Sequence, residues 1–168
     1  MKKNELHTKG KKEVITDNIV RDFFLQYEDE IIIEQQSSQN PIIDKLLRHS
    51  SKKGLGKGYP DFILQFKNNK QIVVVIEDKA DKKFHESECH RQYADYAVDG
   101  VLLYASTLSR QFDVIAIAIS GTDKNDLKVS HYIHLKDEPL AFSYFGDKLC
   151  APNDYMEGLN LSEEKAGL

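Results

Sequence analysis

Cysteine is scarce in this chain. There are two, Cys89 and Cys150, far apart and in no metal-like spacing. The simplest reading is a reduced, cytosolic protein. Long apolar runs are missing too, and nothing approaches the ~18 residues of a membrane span. The basic start MKKNELHTKGKKEV lacks the apolar segment of a secretory signal. Nor is there an excess of positive charge. A formal net charge of −4 argues against a general nucleic-acid coat protein, but leaves room for a local basic patch, because steering depends on how charge is distributed. The stretch Gly54-Leu55-Gly56-Lys57-Gly58 is not a phosphate-binding P-loop. Its glycine spacing is wrong, and glycine follows Lys57 where serine or threonine should stand.

What is present suits one domain. The 168 residues are 40% hydrophobic and 30% charged, and a chain of this length buries roughly 70% of its unfolded surface. After a flexible, charged lead at 1–10, a helix is expected over 11–28. Ile15, Ile19, Phe23 and Tyr27 form its buried stripe, and Thr8 is a candidate cap. A short strand at 30–36 follows, then a helix from Ile42 to His49 opened by Pro41, then the glycine-rich loop 50–58. Two strands, 59–66 and 71–79, flank a turn at Lys67-Asn68-Asn69-Lys70. A long helix over 86–109 carries Ala94, Ala97, Val98, Val101, Leu102, Ala105 and Leu108 on one face. FDVIAIAIS, 112–120, is apolar almost throughout, as a strand covered on both faces should be. Strand, helix and strand in this order give a right-handed crossover. Alternation over 126–135 marks a half-exposed outer strand, and 151–168 reads as a polar tail or linker. The expected fold is α/β: a mixed sheet of four to five strands flanked by helices.

The hairpin holds the chemistry. Phe62, Leu64, Phe66, Ile72, Val74 and Ile76 share one parity and must face core, while Asp61, Glu77 and Lys79 fall on the other parity, at the end away from the turn. A two-residue turn would pair Asp61 with Ile76 and send the two acids to opposite faces. A longer loop or a bulge pairs Asp61 with Glu77, with Cβ atoms roughly 5 Å apart. The apolar parity favours the second register, which is the one predicted. Two carboxylates that close need a proton, a cation or a lysine. Mg²⁺ suits such oxygen ligands, and Lys79 can bind a phosphate oxygen or help position an attacking water. Together they fit phosphodiester hydrolysis. A solvated ion pair at a strand end would use the same residues and be worth little. Two neighbours speak for a site. Gln92 and Tyr96 stand four apart and share a helical face, and Gly100 follows one turn on, where it can allow close packing. The preceding loop holds Lys45, Arg48, Lys52, Lys53 and Lys57, with no acid between Asp44 and Asp61, which favours a polyanion. His85, Cys89 and His90 lack a fourth zinc ligand and closed spacing, and read as partly exposed. His131 and His134 lie on opposite strand faces and cannot share a metal.

Pro60-Asp61, Glu77-Asp78-Lys79 and Gln92…Tyr96, in this order, resemble the PD-(D/E)xK nuclease superfamily. SKKGLGKGYPDFIL, IVVVIEDKA, YAVDGVLLYA and FDVIAIAISG are similar to the N-terminal nuclease domain of type I-like restriction–modification enzymes, whether restriction subunits or fused nuclease–methyltransferase chains. The resemblance covers about 11–122. It implies a restriction-endonuclease-like core within a nuclease domain at 11–150, and cleavage of DNA with Mg²⁺, or Mn²⁺ as substitute. Asp61 and Glu77 would ligate metal together with the backbone carbonyl of Asp78, and Lys79 would be the catalytic lysine. Gln92 and Tyr96 match an auxiliary element. Many members add an acid from the first helix, and Glu13 is the best placed here, with Asp17 next. Lys52, Lys53 and Lys57 would meet DNA. The implied partners are methyltransferase, specificity or motor domains of the same enzyme, reached through the polar tail. An exonuclease of the same superfamily and a non-catalytic DNA-binding scaffold are the alternative readings.

Overall fold

The apolar run near residue 115 lies in the middle of the sheet, as strand β4, Asp113–Ser120. It pairs in parallel with β3, Asn69–Lys79. The other strands are β1 (Ile31–Glu34), β2 (Phe62–Phe66), β5 (Lys128–His134) and β6 (Phe142–Ser143). They lie in chain order, β1-β2-β3-β4-β5-β6, and every pairing but β3–β4 is antiparallel. The protein is described here, as a computed structural model, over residues 10–165. Residues 1–9 of the expected lead and the Thr8 cap lie outside that range. Among the described residues the sheet therefore has six strands rather than four to five; the sixth, β6, is two residues long and too short for any periodicity to betray it.

Helices α1 (Lys11–Leu25) and α4 (Pro152–Lys165) cover one face; α2 (Pro41–Leu47) and α3 (Ala97–Leu108) cover the other. β4 explains why both faces fill so completely. Ile115, Ile117 and Ile119 point towards α1 and α4, and Ala116 and Ala118 towards α3. Each isoleucine is fully buried, worth about 1.5–3 kcal/mol, while the small alanines let α3 come close. α2 starts where Asn40 accepts from the Ile42 and Ile43 amides, with Pro41 in its first turn. Among the described residues no helix is long and apolar enough to cross a membrane.

Three elements differ from expectation. α1 is rotated by about one residue. Its buried positions are Thr16, Asp17, Val20 and Phe24, whereas Ile15 is 46% exposed and Ile19, Phe23 and Tyr27 are only partly covered. The Thr16 hydroxyl donates to the Gly121 carbonyl at 2.7 Å, which fixes that rotation against the pull of the apolar stripe. α3 starts at Ala97 rather than 86, because the buried carboxylate of Asp99 accepts from the Ser87 and Gln92 amides and from the Ser87 hydroxyl, folding 87–92 back upon the helix start. The stretch expected as a polar tail or linker is helix α4. Tyr155 and Leu159 are buried in the core, and Gly158 stands so close to Phe145 that a Cβ there would lie 2.2 Å from the ring. Tyr155 also bonds His131 at 2.8 Å.

Candidate active site

The hairpin adopts the expected register, with Phe62 opposite Ile76, by way of a bulge between Gln65 and Phe66. One step further out, Asp61 faces Glu77. The ladder stops there because Pro60 has no N–H to contribute. Pro60 turns away, and its carbonyl accepts from the Gln36 amide at 2.9 Å. Asp61 takes over the vacated position, its Oδ2 accepting from the Asp78 amide at 2.7 Å. A carboxylate thus stands where a strand carbonyl would have been, pinned in the mouth between β2 and β3.

Two groups of charges meet at that mouth. On the α1 side, the carboxylates of Asp17, Asp61 and Asp78 offer oxygens all within 4.8 Å of one another, and all three residues are buried. The Thr16 bond that rotates α1 also turns Asp17 inward. Glu13, one turn earlier, is partly exposed and stands outside this group. The acid of the first helix that reaches Asp61 is therefore Asp17, and Asp78 brings its carboxylate, where the resemblance implied its backbone carbonyl. All-oxygen donors of this kind suit a hard divalent ion.

On the α3 side lies Glu77, 1% exposed. Burial, then the charge of Asp61, push its pKa up to about 8, while Lys52 and Lys79 pull it back. Lys52 reaches in from the glycine-rich loop to 3.4 Å from Glu77. Its stem passes Gly100, where a Cβ would come within 3.2 Å of Lys52 Cδ and 2.8 Å of the Tyr93 carbonyl. Lys79 shares the Glu77 face of β3, with its Nζ donating to the Ala94 carbonyl at 3.0 Å. The Tyr104 hydroxyl accepts from the Tyr59 amide at 3.2 Å, and burial and the nearby Glu77 push its pKa upwards.

Not every expected residue arrives in the expected way. Gln92 and Tyr96 precede α3 instead of lying on it. Gln92 is exposed, and the Tyr96 ring packs edge-on against Phe84 with centroids 5.7 Å apart. The group that meets Lys79 is the backbone of Ala94, midway between them. Of the loop lysines, Lys52 turns inward to Glu77, Lys57 pairs with Asp44 at 2.8 Å, and Lys53 is exposed. Nor is His85 a partly exposed residue. It is buried between the Ser120 hydroxyl at 2.5 Å and the Ser130 hydroxyl at 2.8 Å, and burial lowers its pKa to about 4. His90 instead pairs with Glu86, so the histidines and Cys89 do not converge on a metal. Sequence reasoning missed Lys52 as a partner of Glu77, for which no periodic signal exists. It also missed Asp99, whose isolation among apolar helix positions was the available clue.

Comparison with protein-family models, with curated proteins and with solved structures finds no match to this chain.

Proposed function

We propose that the protein is a metal-dependent deoxyribonuclease, an endonuclease domain of restriction–modification type on a restriction-endonuclease-like core. The observation that carries the reading is the meeting of Asp61 with Glu77 across the hairpin and with Asp17 and Asp78 at its mouth, lysines alongside. Asp17, Asp61 and Asp78 would hold Mg²⁺ or Mn²⁺; the oxygen-only donor set fits either ion. A bound ion would supply Lewis-acid stabilisation of the charge that develops in phosphodiester hydrolysis. The chain's own groups do the rest. Lys79, on the same face as Glu77, brings an ammonium to the charge building on the phosphate oxygens. Glu77, when ionised, would orient the attacking water and take its proton as the water oxygen bonds to phosphorus and the bond to the leaving sugar oxygen breaks, that oxygen taking a proton from solvent. DNA is the substrate, and methyltransferase, specificity or motor domains of the same enzyme are the partners in this reading, which carries a cytosolic location with it.

The test uses supercoiled and linear DNA with Mg²⁺ or EDTA. Nicked circles should accumulate with Mg²⁺ alone, and Asp61→Asn and Lys79→Ala should each slow nicking by about 10²–10³-fold. Degradation from ends with intact circles would replace the endonuclease by an exonuclease. Binding without cutting, indifferent to Lys79→Ala, would leave a scaffold.

A further inference from the structure

The glycine-rich loop carries a residue that this reading has not used. Leu55 is 96% exposed, the most exposed large apolar side chain among the described residues. Single apolar residues on a surface are ordinary; the mounting of this one is not. Gly54 and Gly56, on either side of it, have φ of +102° and +100°, a conformation that costs glycine nothing and other residues much. The loop closes on itself through the Ser51 amide to the Gly56 carbonyl at 3.0 Å and the Gly54 amide to the Ser51 carbonyl at 3.2 Å. Its root is fixed. The Gly58 amide donates to the Leu47 carbonyl at 2.7 Å, and Ser50 and Thr107 bond through their hydroxyls at 2.9 Å. A Cβ on Gly58 would lie 2.5 Å from the Ser50 carbonyl oxygen. Around the tip the space is open, since a Cβ on Gly54 or Gly56 would meet nothing within 4 Å.

Position and charge name the occupant. Lys52, three residues before Leu55, touches Glu77. The Leu55 Cα is no more than about 11 Å from that of Lys52, whose side chain spans the remaining distance to Glu77, so the finger stands within several base steps, at about 3.4 Å each, of the Glu77 side of the site. From Lys45 to Pro60 the chain holds five basic residues and no acid; Arg48 and Lys57 share Asp44 and Lys52 meets Glu77, which leaves the finger a net positive setting suited to a polyanion. We propose that Leu55 is a wedge that enters a stacked step of duplex DNA flanking the site of cutting, as apolar side chains do in proteins that kink DNA. Lys53, exposed beside it, would hold the backbone. The inference rests on the nuclease reading for the identity of the substrate.

The probe is a set of duplexes carrying 2-aminopurine at successive positions, mixed with the Asp61→Asn chain in Ca²⁺ so that nothing is cut. Unstacking should raise fluorescence at least threefold with Leu55 present and not with Leu55→Ala. Affinity should fall about tenfold with the slope against salt unchanged, whereas Lys53→Ala should reduce that slope by about one. Leu55 is so exposed that its replacement should leave the melting temperature unmoved. No fluorescence rise with Leu55 present, or equal affinities for the two chains, would overturn the wedge. So would capture by anionic vesicles that needs Leu55 without any unstacking. Unstacked duplex that wild type never cuts in Mg²⁺ would keep the wedge and remove the nuclease; cutting without unstacking would do the reverse.

Discussion

Gly100 shows how a single residue carries the site. An added methyl group there would lie 2.8 Å from the Tyr93 carbonyl, which is backbone, and 3.2 Å from Lys52 Cδ, under the side chain of Glu77. Gly100→Ala should therefore cost about 1–3 kcal/mol, read as a lower urea midpoint with the slope retained. Asp61 and Glu77 were legible in the sequence because their pairing follows from the parity of their apolar neighbours, and parity survives any turn that keeps those neighbours inside. Lys52 was not. A long flexible stem obeys no periodicity, and its partner was fixed only when α3 presented a glycine for it to cross. Gln92 and Tyr96 had the right spacing on the wrong element, because the carboxylate of Asp99 captured the preceding segment and delayed the helix.

Helix α1 carries the lesson at the scale of an element. Its apolar residues at four-residue spacing specify one face, yet the helix sits about one residue away from it. One buried hydroxyl, Thr16 on the Gly121 carbonyl, and one inward acid, Asp17, outweigh partial burial of Ile15. Thr16→Val should cost about 1–2 kcal/mol by leaving that carbonyl short of its donor. It should also let the helix rotate, weakening Mn²⁺ binding measured by calorimetry; unchanged Mn²⁺ affinity would mean that α1 does not aim Asp17. Strand β4 was plain from sequence because burial on both faces leaves no polar residue inside the run. Helix α4 was hidden for the opposite reason: two anchors, Tyr155 and Leu159, in a polar stretch give too thin a stripe to read.

For the whole molecule, two buried groups pull stability in opposite directions with pH. Burial lowers the pKa of His85 to about 4, below its unfolded value of about 6.5. Its contribution is present above pH 6.5 and is lost as pH falls towards 4. Glu77 is raised to about 8, so its contribution is full below about pH 4.5 and is lost as pH rises through 8. The metal-free chain should melt highest on a plateau between about pH 4.5 and 6.5, where the two slopes oppose each other. Glu77→Gln should flatten the alkaline limb and move the maximum to above about pH 6.5, where the His85 contribution is complete, and Mg²⁺ should lift the same alkaline limb of the unsubstituted chain, in melting scans from pH 4 to 9. An alkaline limb unmoved by Glu77→Gln would show that another group sets it.

The order of the strands also bears on when the chain becomes itself. Every neighbour in the sheet is a neighbour along the chain, and the antiparallel pairs need short closures, apart from the loop between β1 and β2. The parallel joint that sets Ile72 beside Asp113 must wait for a whole intervening helix, and distant closures of this kind are slow. That helix is also the roof over Glu77. During synthesis the acids of the hairpin emerge before their cover, so the buried setting of Glu77 exists only once that helix has docked.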